Sequence, residues 1–458
     1  MRPFPARRPI RLPLRSGAAV AVAAGLLAAG LAAPALAADD PSENDQLWIN
    51  EPYDKTLPLG TGGGQPPSRT LGVGIYHDNE NVTVTDGKLF IDISGLTGVA
   101  EVTWPENCTP SGTSAVCDVP QVPTIGGDYE DQVFLKVRAA DGARAGAKGR
   151  IAYEASATGG PDGTLTAPHE SFDTTLTVGS GPDLSIDPIA PVEAGRPGDE
   201  RTIPFRVVNN GNESANGITV KLYASYGLRE LPRYDGCTYT TVDGDHDAPS
   251  TTATCTFDQA LAPGDSFELP KPLTVRLAPY ALNERLDLDV EPGHGARDID
   301  SENDYTALEI LVDNVADFSV TGDAISGAPD ETVTADLTFE NKGPAWFGNL
   351  GSGEPAVDVR LIVPEGVKVV GVPSGCRPHT LEGGYYPQQT GAPRYDCNPG
   401  YWVREDTRRT FSFSVRIDTV VSGETGAVSI HPAFGEFGEA PFDFDPDLAN
   451  NTAVLAVN

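Results

Sequence analysis

The chain has 458 residues and is strongly acidic, with 65 Asp+Glu against 32 Lys+Arg and a formal net charge of -33 at pH 7. A field of that sign repels nucleic acid and anionic lipid, and so excludes functions built on binding either. With 50 glycines, 40 prolines and short runs rich in Thr and Val, the composition points to many short strands joined by turns.

At the amino terminus Arg2, Arg7, Arg8, Arg11 and Arg15 precede an Ala/Leu/Val/Gly run over 17–31, then Pro34 and the triplet Ala35-Leu36-Ala37. A basic start, an apolar middle and a small-residue site make an export signal, expected to be cut after Ala37. The competing reading, an uncleaved anchor, is opposed by Pro34 and by the cleavage triplet. Arg7-Arg8 is followed by Pro and Ile, which departs from a twin-arginine signal. Removing residues 1–37 takes away five arginines and no acid, so the mature chain carries a net charge of about -38. No later apolar run approaches the roughly 20 residues that a span needs, so the mature chain is expected to have no membrane span. The string "LPLGTG" at Leu57 resembles a sortase signal, but it has an extra residue and no apolar tail, and it reads as a loop.

Length alone suggests two to four domains, and comparing the chain with itself gives three. The run "FSFSVRI" at Phe411 alternates, placing Phe411, Phe413, Val415 and Ile417 on one face of a strand. It is matched by "PLTVRLA" at Pro272 and "VFLKVRA" at Val133, so a Val-Arg pair recurs at Val137-Arg138, Val275-Arg276 and Val415-Arg416. Each pair follows a cysteine at nearly constant distance, namely Cys117, Cys255 and Cys397, and each of these has one cysteine upstream: Cys108, Cys237 and Cys376. Earlier in the modules, "PGDERTIPFRVVNNG" at Pro197 parallels "APDETVTADLTFENKG" at Ala328, with "LGVGIYHDNENVTV" at Leu71 as a looser copy. In the Ala328 run, Val333, Ala335, Leu337 and Phe339 alternate with polar residues. "PDLSI" at Pro182 and "ADFSV" at Ala316 open the second and third copies, which sets the expected modules at 38–180, 181–314 and 315–458.

Each module holds about 130 to 145 residues and reads as seven or more strands without sustained helical periodicity. A sheet with one apolar face needs a second sheet to cover it, so the expected fold is all-β, three tandem Ig-like β-sandwiches. The recurring order of alternating strand, Asn/Gly turn, cysteine, loop, cysteine and Val-Arg strand resembles the bacterial Ig-like conserved-repeat modules related to the cell-adhesion-related domain found in bacteria. The resemblance implies stalks or adhesive repeats on the bacterial envelope, which commonly end in a wall-sorting signal. This chain departs there, stopping at "TAVLAVN" directly after the last expected strand.

Six cysteines in an exported protein are most simply three disulfides, and the modular repetition selects Cys108 with Cys117, Cys237 with Cys255, and Cys376 with Cys397. Closing such loops stabilises each module by roughly 2 to 4 kcal/mol in the chain-entropy picture. Between Cys376 and Cys397 lies "RPHTLEGGYYPQQTGAPRYD", which carries His379, Tyr385, Tyr386 and Tyr395, with Tyr401 and Trp402 just beyond. Clustered aromatics on a tethered loop can stack on a glycan or dock a protein, and they can equally cover the end of a sandwich.

"DIDSENDYTALEILV" at Asp298 gathers acids before an apolar run, like a calcium loop. Counted from Asp298, an EF-hand needs glycine sixth, where Asn303 stands, although Glu309 does stand twelfth. "DPDLANNTAVLAVN" at Asp445 repeats the pattern, which favours a built-in turn over a private site, since short Asp and Asn side chains bond nearby backbone amides. Structural calcium stays open through Asp298, Asp300 and Asp304, or Asp443, Asp445 and Asp447.

Six scattered histidines, His77, His169, His246, His294, His379 and His431, share no module position, and no metalloprotease, nucleophile-elbow, Walker or dinucleotide motif occurs. The expectation is a noncatalytic, secreted or wall-associated protein without cofactor, calcium aside, acting as spacer or adhesive surface toward a protein or glycan of the cell envelope. The alternative is a secreted carbohydrate-binding protein using the aromatic loop.

Overall fold

The computed structural model describes residues 46–458 apart from 61–63, 79–81, 125–130, 160–162, 168–171, 243–247, 352–353, 422 and 434–441. The export signal expected at 1–37 lies outside the described residues, as do His169 and His246. Among the described residues there is no α-helix, and the protein is all-β.

The buried apolar side chains gather in three clusters, from Leu47 to Val178, from Leu184 to Val312, and from Ala316 to Val457 with Leu282 added. Each cluster is the filling between two sheets. In the first, one sheet runs Leu47–Asn50, Arg69–His77, Val133–Ala139, Ala100–Thr103. The facing sheet runs Lys55–Pro58, Asp173–Gly179, Lys148–Thr158, Val84–Asp92, Ser114–Val122, Cys108–Ser111. Around the third cluster the order repeats: Phe318–Thr321, Thr332–Asn341, Arg408–Ile417, Val367–Gly371 faces Ala324–Ile325, Thr452–Val457, Thr425–Pro432, Val357–Ile362, Arg394–Cys397, Cys376–His379. The opening segment starts antiparallel on one sheet and then joins the last strand of the other in parallel, as Lys55–Pro58 does with Asp173–Gly179 and Ala324–Ile325 with Thr452–Val457. Around the second cluster a single parallel bridge from Gly195 to Val312 marks the same crossing. Two packed antiparallel sheets in this order form an Ig-like sandwich.

The strands form where the sequence alternates. In Arg408–Ile417 the side chains of Phe411, Phe413, Val415 and Ile417 are fully buried and their neighbours face out, as a two-residue side-chain period requires. The Val-Arg pairs sit on equivalent central strands. Val137, Val275 and Val415 are buried, while Arg138, Arg276 and Arg416 pair outside with Glu101 and Asp141, Glu230, and Asp418. In Thr332–Asn341, Ala335, Leu337 and Phe339 are buried and Val333 is only half-buried.

The middle sandwich departs from its neighbours, because its first sheet is broken into two three-stranded pieces. Pro204 separates Glu200–Ile203 from Arg206–Asn209, and Pro270 and Pro272 stand between Ser266–Glu268 and Leu273–Leu277. Proline has no N–H to give a ladder, so the pairing stops on both strands at once.

The three disulfides are those the repetition selected, with Cα atoms 3.9 Å apart in each. Every pair is a directly opposed couple on an edge hairpin of the larger sheet: Cys108 faces Cys117, Cys237 faces Cys255, and Cys376 faces Cys397. The bridge therefore staples a hairpin at the sheet margin, and does not tie sheet to sheet through the core as in antibody domains.

Candidate functional sites: acidic turns, module seams and the aromatic loop

The two acidic turns are one structural device used twice. The Asp298 carboxylate accepts hydrogen bonds from the amides of Leu184 at 2.7 Å and Asp300 at 2.8 Å, and Asn303 Nδ2 donates to Asp183 Oδ1 at 2.9 Å. In the third sandwich Asp445 accepts from the amides of Phe318 at 3.2 Å and Asp447 at 3.1 Å, and Asn450 Nδ2 donates to Asp317 Oδ1 at 2.9 Å. Each turn thus clamps the first strand of its own sandwich to the entry of the last. Asp298, Asp300 and Asp304 correspond to Asp445, Asp447 and Asn451, so Asp443 lies one step before the repeated pattern. Asn451 Nδ2 donates to Asp445 Oδ2 at 2.9 Å. Burial, with Asp289, Asp298, Glu291 and Asp300 nearby, pushes the Asp304 carboxyl up to about 7.

Among the described residues no group of three or more His, Cys, Asp or Glu side chains is arranged to hold a metal ion. What reaches the acidic turn of the second sandwich is a pair of basic side chains from the first. Lys55 Nζ lies 3.2 Å from Asp300 and 2.5 Å from Glu302, and Arg69 pairs with the fully buried Asp183 and lies 3.8 Å from Asp300. Nothing in the sequence marked Lys55 or Arg69, since partners across a seam leave no local pattern.

The seam between the second and third sandwiches is aromatic. Tyr226 stacks on Tyr280 at 4.4 Å between ring centres, meets Trp346 edge-on at 5.6 Å and lies tilted against Trp402 at 5.9 Å. The Trp346 amide donates to the Tyr280 carbonyl at 2.9 Å, and Arg404 donates to the Tyr226 hydroxyl at 2.8 Å. Beneath the rings, the fully buried Glu284 accepts from Ser225 Oγ at 2.5 Å, Trp346 Nε1 at 2.6 Å, Gly227 N at 2.8 Å and Leu282 N at 3.2 Å. Burial pushes its carboxyl up against the pull of those four donors.

The aromatic residues singled out by sequence are dispersed. Tyr395 is buried in the core with its hydroxyl donating to the Gln389 carbonyl, and Tyr386 is half-buried with its hydroxyl on the Gly391 carbonyl. Trp402 belongs to the seam. His379 Nδ1 sits 3.1 Å from the Gly383 carbonyl. Only Tyr385, 84% exposed, and Tyr401, 40% exposed, present much ring surface. A stacking platform needs several coplanar, accessible faces, and these six residues do not make one.

A Ser–His contact stands on the outward face of the third sandwich, where Ser429 Oγ lies 2.7 Å from His431 Nε2 and His431 is directly across from Asp358. Burial and Asp396 push the Asp358 carboxyl up to about 6. The strand Thr425–Pro432 is paired on both sides, with Val357–Ile362 and Thr452–Val457. Residues 425–429 pair with Thr452–Val457 and residues 428–432 with Val357–Ile362, so the contact sits on a laddered strand and not on a turn.

No protein-family model matches the chain, and no curated protein sequence matches it significantly. Among solved structures it is similar to Dpr2 Ig1-Ig2 in complex with DIP-Theta Ig1-Ig3, at 10% identity and a TM-score of 0.23, covering 90% of this chain and 99% of that one. It is also similar to Escherichia coli alpha-2-macroglobulin activated by porcine elastase, at 10% identity and a TM-score of 0.17, covering 90% of this chain and 33% of that one. A Porphyromonas gingivalis W83 protein of unknown function overlaps at 8% identity and a TM-score of 0.15, covering 58% of this chain and 98% of that one.

Proposed function

We propose that this is an exported, noncatalytic protein of three Ig-like modules, 38–180, 181–314 and 315–458, that serves as a spacer or interaction surface at the cell envelope. The modules would belong with the bacterial Ig-like repeats related to the cell-adhesion-related domain, and residues 1–37 would be the signal removed on export. One observation carries the reading: an edge-hairpin disulfide and an apolar filling recur three times along the chain, and the strand order around the first filling repeats around the third. Disulfides on sheet margins support an oxidising destination, because cytosolic thiols are kept reduced. Spacing several sandwiches in tandem supports reach, and the excess of acid keeps them soluble and apart. The partner is a protein or an envelope glycan, and the glycan reading keeps Tyr385 and Tyr401 as its candidate contacts.

Expression of the full chain in an exporting bacterium, followed by fractionation, amino-terminal sequencing and thiol counting, tests this. The expected product begins at Ala38, has no free thiol, and is found in the medium or is open to protease on intact cells. A chain retained inside with its cysteines reduced would defeat the proposal.

A further inference from the structure

The two seams are built from different chemistry. Between the second and third modules the join is apolar and backbone-bonded: Leu282 of the second is buried in the core of the third, and four aromatic rings close over Glu284. Arg285 Nη1 adds a bond to the Leu350 carbonyl at 3.0 Å. Between the first and second modules neither core cluster takes in a residue of the other. Among the described residues, the connecting Ser180 and Gly181 hydrogen-bond to Asn212 and Glu213 of the second module. Among the described residues, the side chains whose polar contacts cross are Lys55 and Arg69, which reach Asp183, Asp300, Glu302 and the Asn210 carbonyl.

We propose that the first seam is an ionic latch, so that module 1 is a hinged unit held by Lys55 and Arg69 on the acidic turn of module 2, while modules 2 and 3 form one fused body. The linker supports this. A Cβ at Gly181 would stand 2.6 Å from the Ile299 side chain, so a bare backbone is required where the chain turns under the acidic turn. The five acids Asp183, Asp298, Asp300, Glu302 and Asp304 outnumber the two cations that reach the turn, so the socket keeps its attraction for a basic side chain after any one carboxylate is lost. Ion pairs weaken when charge is removed or screened, whereas ring stacking and burial do not. Opening is therefore selective for the first seam.

The inference rests on the three-module division, and relaxation of backbone amides by NMR tests both separately. In the wild-type protein at low salt, amides of all three modules are expected to report one rotational correlation time. In Lys55→Met/Arg69→Met, and again in Asp300→Asn/Glu302→Gln approached from the other side, amides of residues 47–178 are expected to shift to a shorter time than those of 184–457. Wild-type protein at about 1 M salt, where the Debye length is about 3 Å, shifts the same way but less, since the pairs are partly buried. Arg138→Met, which removes an outward ion pair within module 1, is the control and keeps one time. A single shared time in both double variants, with unchanged chemical-shift dispersion, overturns the latch, and so does independent tumbling already present in the wild type at low salt. More than one correlation time among amides within 47–178 overturns the module division instead.

Discussion

Asp304 and Asn451 occupy the same place in two copies of one turn, and the difference between them is a charge. Asp304 lies among four other acids, and its carboxyl titrates near 7, well above the ordinary 3.8. A carboxyl raised in the folded state holds its proton after the unfolded chain has released it, so stability falls as pH rises from about 4 toward 7. Asp304→Asn, which copies the third module's choice, should raise the melting temperature at pH 8 and change it little at pH 4, as calorimetry at the two values will show. Asp445 has the opposite role. It is buried and satisfies two backbone amides, so Asp445→Ala should cost about 1.5 to 3 kcal/mol in urea unfolding, with Asp445→Asn recovering part of the loss. The pattern Asp-x-Asp-x-x-Asn was legible in the sequence. Its bond to the amide two residues on was legible too, but its second bond was not, because that amide belongs to Leu184 or Phe318, more than a hundred residues away along the chain.

At the scale of single elements, alternation was enough to find the strands that matter. Phe411, Phe413, Val415 and Ile417 face inward as read, and Phe413 packs against Tyr395 with ring centres 5.4 Å apart. Phe413→Ala should cost about 3 to 5 kcal/mol, measured by denaturant unfolding, by transfer and cavity terms together. Constant spacing also identified the hairpins, since a cysteine kept at one distance from a strand must sit at one place on the fold. Their loops differ, with sequence separations of 9, 18 and 21 residues. Replacing both cysteines by Ser should therefore destabilise least at Cys108–Cys117 and most at Cys376–Cys397, by about 2 to 4 kcal/mol in chemical denaturation. The split of the middle sheet was less visible. Pro204, Pro270 and Pro272 are plain in the sequence, but only pairing shows that they fall opposite one another and break the ladder in one line.

For the whole molecule, the acidic turns and the aromatic loop acquire their meaning from what lies across a seam. The turn at Asp298 that resembles a calcium loop faces Lys55 and Arg69, and its Asp298 carboxylate already accepts two backbone amides. The melting profile should accordingly be the same in excess calcium and in chelator, and a calcium-dependent rise for the second or third module would reinstate the metal reading. Trp402, just beyond the aromatic loop, packs with Tyr226 and Trp346 where the second and third apolar fillings meet. Trp346→Ala should cost about 3 to 5 kcal/mol in denaturant unfolding, more than a ring of its size on a surface loop, because it also strips a donor from the buried Glu284 carboxylate. The acidic character, the β architecture and the disulfide pairs followed from the sequence alone, because composition, a two-residue period and recurrent spacing are all local quantities. The seams, the dispersal of the aromatic residues and the role of two basic side chains were decided by tertiary structure, because they depend on which surfaces meet when each module has closed on itself.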